Sequence, residues 1–592
     1  MYSMVVPSRR ILYPSGMSTK LRRIAWIVFA CCVVTASSIP LELVGAEGVD
    51  RDAEFRDPNV SDRGYQIVIF KDQTVGGTGG LSFSYLSGSP WGTTCSSFSD
   101  PACSDTSRLS YHAFLQPCKT TEQLDCISGF GAATESDERT AASFVGTFPT
   151  KGRHDFAGDA DLRLPPGGPP SMWSVPSLPH AGGSRYLVQA STSGNYRNSM
   201  FSLSNFSIEV VPIELVSDNG RQCDFNEECD DDDGPGFYVT HEIDGEPIRG
   251  LASRVSSSDN DCVLLAERQC AKRHAFPTGA RLYLTLRMSQ SPTGWFHGRV
   301  FKPNISVTPV TGSAVVVDIV ASTVKTPVLA VAKTWSDLPG SLQDLYRATG
   351  GFKGANPGTR NRPEILLGPE IRNAISGPSP SSEVGMEELL AWLPHVGDRA
   401  TADIARWTIR SLADNELSGA SQCFTDRSQL NGLVTTNATQ YSGGPPKFDR
   451  SSGSLDYRVA APHYTSGGNL VVGTYDLVMR SSVARCVYGF SNAPLNASIS
   501  VVESDGQTTV ATKSVSERDG WIRIAAYGFG FSSPTIKVQL TQDKVGTTPP
   551  NKSSKLKMPT RKKRSVTCKK GRAVRVVTAV NPICPKGFTR VP

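Results

Sequence analysis

Asp505-Gly506-Gln507-Thr508-Thr509-Val510-Ala511-Thr512-Lys513-Ser514-Val515-Ser516-Glu517-Arg518-Asp519-Gly520-Trp521-Ile522-Arg523-Ile524-Ala525-Ala526-Tyr527 is the stretch on which the fold class turns. Two runs rich in β-branched and aromatic residues, 508–515 and 521–527, are punctuated by Asp505-Gly506 and Asp519-Gly520. Asp-Gly suits the positive φ angles of a tight hairpin turn, so the stretch predicts antiparallel strands. Working outward, 454–460, 473–480, 484–490 and 497–503 read as further strands of the same kind. Their regular spacing predicts an immunoglobulin-like β-sandwich over 418–542.

The rest of the chain of 592 residues is also turn-rich, with 54 Gly and 40 Pro and only 20% charged residues. That balance favours sheets over helical bundles, and the length allows several domains. The expected fold class is mainly β: several disulfide-stapled β-sandwich-like domains, a short helical insert and a basic two-cysteine tail. An N-terminal β domain is drawn at 50–218, with strands at 66–70, 81–86, 186–190 and 206–216 and a long loop over 146–179. A disulfide-rich β domain with an acidic loop follows at 219–333, then a helical segment at 334–417. Within that segment 339–346, 386–393 and 401–412 space their apolar positions as helices do, and Ser382 stands where a helix cap belongs. The remaining segment, 543–592, is a basic linker with a disulfide hairpin.

The first 46 residues read as a signal peptide. Lys20-Leu21-Arg22-Arg23 precedes the uncharged apolar run 24–36, and Val44-Gly45-Ala46 comes before an abrupt change to acidic sequence at Glu47. A basic start, an apolar run of about 7–15 residues and small residues at the cleavage point define such a signal. Met17, at the usual distance from Arg22 and Arg23, is the expected start. No later stretch spans a bilayer: the most apolar, 313–332, is interrupted by Asp318, Lys325 and Pro327 and reads as two strands.

Cysteine usage points the same way. Two of the 14 cysteines lie in the signal, and the other twelve form local sets. These are Cys95, Cys103, Cys118 and Cys126; Cys223, Cys229, Cys262 and Cys270; Cys423 with Cys486; and Cys568 with Cys584. Even, local sets suit disulfides in an oxidising compartment, and seven intervening residues in 95/103, 118/126 and 262/270 suit small closed loops. Each four-cysteine set still allows three pairings. Zinc is the rival reading, but no CxxC pair occurs, and only Cys270 with His274 has close Cys/His spacing.

Two charge clusters stand out. Asp224, Glu227, Glu228, Asp230, Asp231, Asp232 and Asp233 place seven carboxylates within ten residues. A calcium ion would relieve their repulsion, although the EF-hand spacing is missing because Cys229 holds the position where glycine belongs. No other cofactor is implied. At the opposite end, 544–592 carries 14 of the 61 Lys and Arg and none of the 55 Asp and Glu, so the remainder holds 47 cations against 55 anions, a net of −8. Arg561, Lys562, Lys563, Arg564, Lys569, Lys570, Arg572 and Arg575 are the candidate polyanion-binding residues. For an exported protein the expected partner is an anionic cell-wall polymer or glycan, and not nucleic acid.

Catalytic signatures are missing. No G-x-S-x-G, H-E-x-x-H or Gly-Asp-Ser-Gly occurs. His463 near Ser466-Gly467-Gly468 reads as a Gly-rich turn, and Glu387 and Glu388 as the charged start of a helix. Trp295, Phe296, His297 and Arg299 form an aromatic-basic motif that could stack on a sugar, yet strand alternation with Trp in the core explains it as well.

Several stretches resemble uncharacterised secreted proteins of actinobacteria. They are Gly294-Trp295-Phe296-His297-Gly298-Arg299, Arg410-Ser411-Leu412 through Glu416-Leu417-Ser418-Gly419-Ala420, Gly473-Thr474-Tyr475-Asp476-Leu477-Val478 and Ser482-Val483-Ala484-Arg485-Cys486-Val487-Tyr488-Gly489-Phe490. The tail, Val566-Thr567-Cys568-Lys569 through Cys584-Pro585-Lys586-Gly587-Phe588, adds to the likeness. The resemblance implies an extracellular, envelope-associated location and transfers no catalytic residue. The sequence therefore predicts a non-catalytic binding or structural surface protein. The alternative is an extracellular hydrolase of polysaccharide or a related polymer, with a site built across domains.

Overall fold

Strands buried on both faces at the centre of one sheet, such as Gly294–Arg299 and Leu430–Thr436, organise the fold. In the computed structural model this central sheet contains, in spatial order, Tyr85–Ser87, Ser110–Phe114, Arg185–Arg197, Met200–Ser217, Thr408–Ser411, Gly294–Arg299, Leu430–Thr436, Gly473–Arg480, Trp521–Phe529 and Thr512–Arg518. The structure describes residues 65–70, 83–88, 93–103, 109–152, 154–217, 238–243, 246–251, 262–267, 269–334, 338–348, 373–376, 379–413, 416–417, 420–491, 495–502, 508–509, 512–531, 534–542, 564–571, 573–579 and 582–591.

One face of the central sheet packs on a second sheet containing Cys126–Ala133, Arg281–Met288, Phe301–Pro309 and Val315–Ser322. Leu282, Leu284, Leu286 and Met288 alternate inward from it to meet Phe206, Ile208, Phe296, Ile409, Leu433 and Trp521. The other face packs on a third sheet of Gln440–Tyr441, Ser454–Ala460, Thr535–Gln542, Leu495–Val502 and Thr508–Thr509. There Trp295, Val434, Leu477, Met479, Ile522 and Ile524 meet Leu455, Tyr457, Val459, Ile499, Ile536 and Val538. The strands around Gly294–Arg299 are thus buried on both sides.

The mainly β class, the disulfides and the short helical insert stand as expected. The segments drawn from sequence, however, do not each keep their own sheet. Strands from 50–218, 219–333, 334–417 and 418–542 all enter the central sheet, and Cys126–Ala133 pairs with Arg281–Met288 across the boundary at 218/219. Gly294–Arg299 lies antiparallel to Thr408–Ser411 and parallel to Leu430–Thr436, so one strand joins three of the expected units. The likeness between 418–542 and a sandwich holds as two packed sheets, one of which is shared with the rest of the chain.

Local expectations fare unevenly. Helices form at Gly340–Ala348 and Glu383–Trp392, the latter with the Ser382 side chain accepting from the Gly385 amide. The run 401–412 is not a helix but two strands, Ala402–Arg406 and Thr408–Ser411. Ala402, Ile404 and Arg406 are buried in alternation, and neighbouring strands supply their ladders, which outweighs the coincidental helical spacing. Conversely, 484–490 is not a strand: 484–488 end the helix Ser481–Tyr488, which is closed by Gly489 at φ 67. The left-handed region favours glycine, and the Gly489 amide caps back to the Arg485 carbonyl. The expected loop at 146–179 contains the strand Ser171–Ser174. The stretch 313–332 forms two strands, Val315–Ser322 and Val324–Thr334, as read.

Cys95–Cys103, Cys118–Cys126, Cys423–Cys486 and Cys568–Cys584 are disulfides. Cys270 is disulfide-bonded as well, while Cys223, Cys229 and the side chain of Cys262 lie outside the described residues. Cys423–Cys486 joins a 3-10 turn, Gln422–Phe424, to the helix Ser481–Tyr488, so Cys486 sits on a helix within the run 484–490 expected as a strand. Among the described residues no helix is long and apolar enough to cross a membrane.

Candidate functional site

The C-terminal module is built from alternation in a short sequence. Arg564–Lys570 pairs antiparallel with Ala573–Ala579 on one side and Thr589–Val591 on the other, making a three-stranded sheet where a hairpin was expected. The third strand escapes a sequence reading because three residues carry no periodic signal. Cys568 is buried and bridged to Cys584, which ties the sheet to the segment before its last strand. In register, Cys568 lies between Arg575 and Arg590, and Lys569 between Val574 and Thr589. Cross-strand partners share a face, so one face carries Arg575 and Arg590, and the other carries Lys569 beside Val574, Val576 and Val591. Arg575 also stands 5.7 Å from the Phe588 ring.

Lys569, Lys570, Arg575, Lys586 and Arg590 are all exposed. No Asp or Glu occurs anywhere in 544–592 to neutralise them. Of the other expected contributors, Arg564 begins the first strand, and Arg561, Lys562, Lys563 and Arg572 lie outside the described residues. The acidic cluster Asp224, Glu227, Glu228, Asp230, Asp231, Asp232 and Asp233 also lies outside them. Among the described residues no group of three or more His, Cys, Asp or Glu is placed to hold a metal ion.

The aromatic-basic motif is core, not surface. Trp295, Phe296, His297 and Arg299 are each at most 4% exposed. Trp295 Nε1 donates to the Phe424 carbonyl at 2.9 Å, and its ring occupies the space that a Cβ on Gly432 would take. Arg299 Nη1 donates to the carbonyls of Thr436 and Ala438 and lies 4.7 Å from the Tyr441 ring, which stacks on His297 at 3.8 Å. Burial, aided by the charges of Arg299 and Arg410, pushes the His297 imidazole well below its usual range, so it is neutral. Next to it Arg410 grips Glu416 with two hydrogen bonds of 2.7 Å. Burial alone would push the Glu416 carboxyl up, but Arg410 outweighs it and holds the group ionised. This polar network braces the contact between two sheets.

Asp476, to which the sequence assigned no role, is buried and accepts hydrogen bonds from Tyr527 and from Thr435 Oγ1. Burial raises its pKa to about 6 despite those donors. His463 pairs through Nδ1 with Asp398, whereas Ser466 Oγ donates to Asp403 at 2.7 Å. The serine hydroxyl is therefore committed to a carboxylate, and the Gly-rich turn reading accounts for these residues. Glu387 is exposed on the helix Glu383–Trp392 and Glu388 is buried, so the pair does not act on one surface. No family model, curated protein or solved structure matches the chain.

Proposed function

We propose that this is an exported, non-catalytic surface protein, held on an anionic polymer or glycan of the cell envelope by its C-terminal module. One observation carries the reading: five exposed cations on a disulfide-tied module, within a segment that has no Asp or Glu. Such a surface attracts polyanions over roughly a Debye length and loses hold as salt rises. The disulfides suit an oxidising compartment, which supports export. The likeness to secreted actinobacterial proteins supports an envelope setting. In this reading the acidic remainder of the chain, at −8, stays clear of the same polymer.

Deleting 544–592 should move the protein from the wall fraction to the medium, and raising salt should elute the full-length protein from purified wall polymer. Wall retention that survives the deletion unchanged would end the proposal.

A further inference from the structure

The last strand of the central sheet, Thr512–Arg518, pairs with Trp521–Phe529 and with no other described strand. Its register is continuous from Thr512↔Tyr527 to Arg518↔Trp521, with neither a bulge nor a proline. Ser514, Val515, Ser516, Glu517 and Arg518 are exposed, so both faces of the strand meet solvent. Edges of this kind are templates for another strand; proteins commonly blunt them with bulges, proline or charged residues, and here the charges are of both signs.

The turn decides which backbone groups are open. Asp519 at φ 53 and Gly520 at φ 76 form a two-residue turn of the primed type, closed by Arg518↔Trp521. The closing pair of such a hairpin exchanges both hydrogen bonds, and bonded pairs then alternate. Residues 518, 516 and 514 therefore point their amides and carbonyls inward, and 517, 515 and 513 point theirs at the open edge.

Those three positions are self-complementary. In an antiparallel two-fold pairing centred on Val515, Val515 meets its own copy and position 513, a lysine, meets position 517, a glutamate, twice. All three pairs use the outward-pointing backbone groups. Centring on 514 or 516 instead sets one of the charged positions opposite Val515 and loses both ion pairs. Glu517 is already steadied by Arg485 Nη2 at 2.9 Å. Val515, 39% exposed, supplies an apolar contact on the axis. We infer that the chain forms a two-fold homodimer in which strands 512–518 of two copies pair antiparallel and extend the central sheets into one. The interface is isologous and closes on itself.

Sedimentation of the full exported chain tests this. The wild type is expected as a dimer. Val515→Pro removes an outward N–H while leaving the intramolecular ladder intact, and should be monomeric. Lys513→Glu places like charges opposite each other twice and should weaken the dimer about tenfold, as should Glu517→Lys. Mixing those two single variants restores opposite charges at both positions and should recover the dimer. If Val515→Pro fails to fold, the charge variants and their mixture carry the test alone. A wild type that is monomeric throughout, or a dimer that persists unchanged in the folded variants, would overturn the inference.

Discussion

Asp476 shows how one buried side chain writes a pH dependence into this protein. Its usual pKa of 3.8 is raised to about 6 in the folded chain, so between those values the folded state holds a proton that the unfolded state has released. Stability must therefore fall as pH rises from about 4 to about 6 and level off above. The loss is on the order of 2–3 kcal/mol. Asp476→Asn removes the titration. Thermal melts of wild type against this variant should diverge over that window, with the wild type losing ground toward neutral pH; parallel curves would show that Asp476 is not the source. His112 acts in the opposite sense, since burial pushes its imidazole down to about 4 and favours the folded state at higher pH. The comparison with the single variant separates the two. Gly432 makes a steric point at the same scale: a Cβ there would come within 2.4 Å of the Trp295 ring, so the glycine and the tryptophan require each other.

At the scale of elements, the helix Ser481–Tyr488 depends on its connections. Val483 and Ala484 are buried against the core of the third sheet, Gly489 ends the helix, and Cys486 fastens it to the turn Gln422–Phe424. That turn carries Phe424, whose ring meets Trp295 edge-on at 5.3 Å. The disulfide spans a sequence separation of 63, and closing a loop of that size stabilises by about 4 kcal/mol in the chain-entropy account. Replacing Cys423 and Cys486 together by Ser should lower denaturant stability by about that amount, with faster amide exchange concentrated at 422–424 and 481–488. A uniform increase across the sheets would argue that the bridge has no local role. The two runs whose type local pattern misread, 401–412 and 484–490, fail for related reasons. Short runs satisfy helical and strand spacing alike, and what surrounds them decides: ladder partners for the first, a glycine cap and a disulfide for the second.

For the whole molecule, the shared central sheet has a consequence for folding. A chain cut at 417/418 would leave Leu430–Thr436 without its parallel neighbour Gly294–Arg299 and without Trp295 in its core. Expressed alone, 418–542 should lack the near-ultraviolet signal of fixed aromatic packing, despite its complete set of hairpins; a native-like spectrum would mean that it is an independent domain after all. Local sequence determined a good deal here: the β class, the Asp519-Gly520 hairpin, the capped helix at 383–392, the local grouping of the cysteines and the uncompensated charge of the tail. Each rests on properties that a few neighbouring residues possess by themselves, such as permitted φ angles, alternation, loop size or net charge. Only the tertiary structure decided which strands lie side by side, why Gly294–Arg299 is buried on both faces, that Asp476 is held away from water, and that Arg410 and Glu416 meet half-buried. Those outcomes depend on pairings between residues more than a hundred positions apart, as in 297 with 410 and 434, and on burial that no single stretch can display.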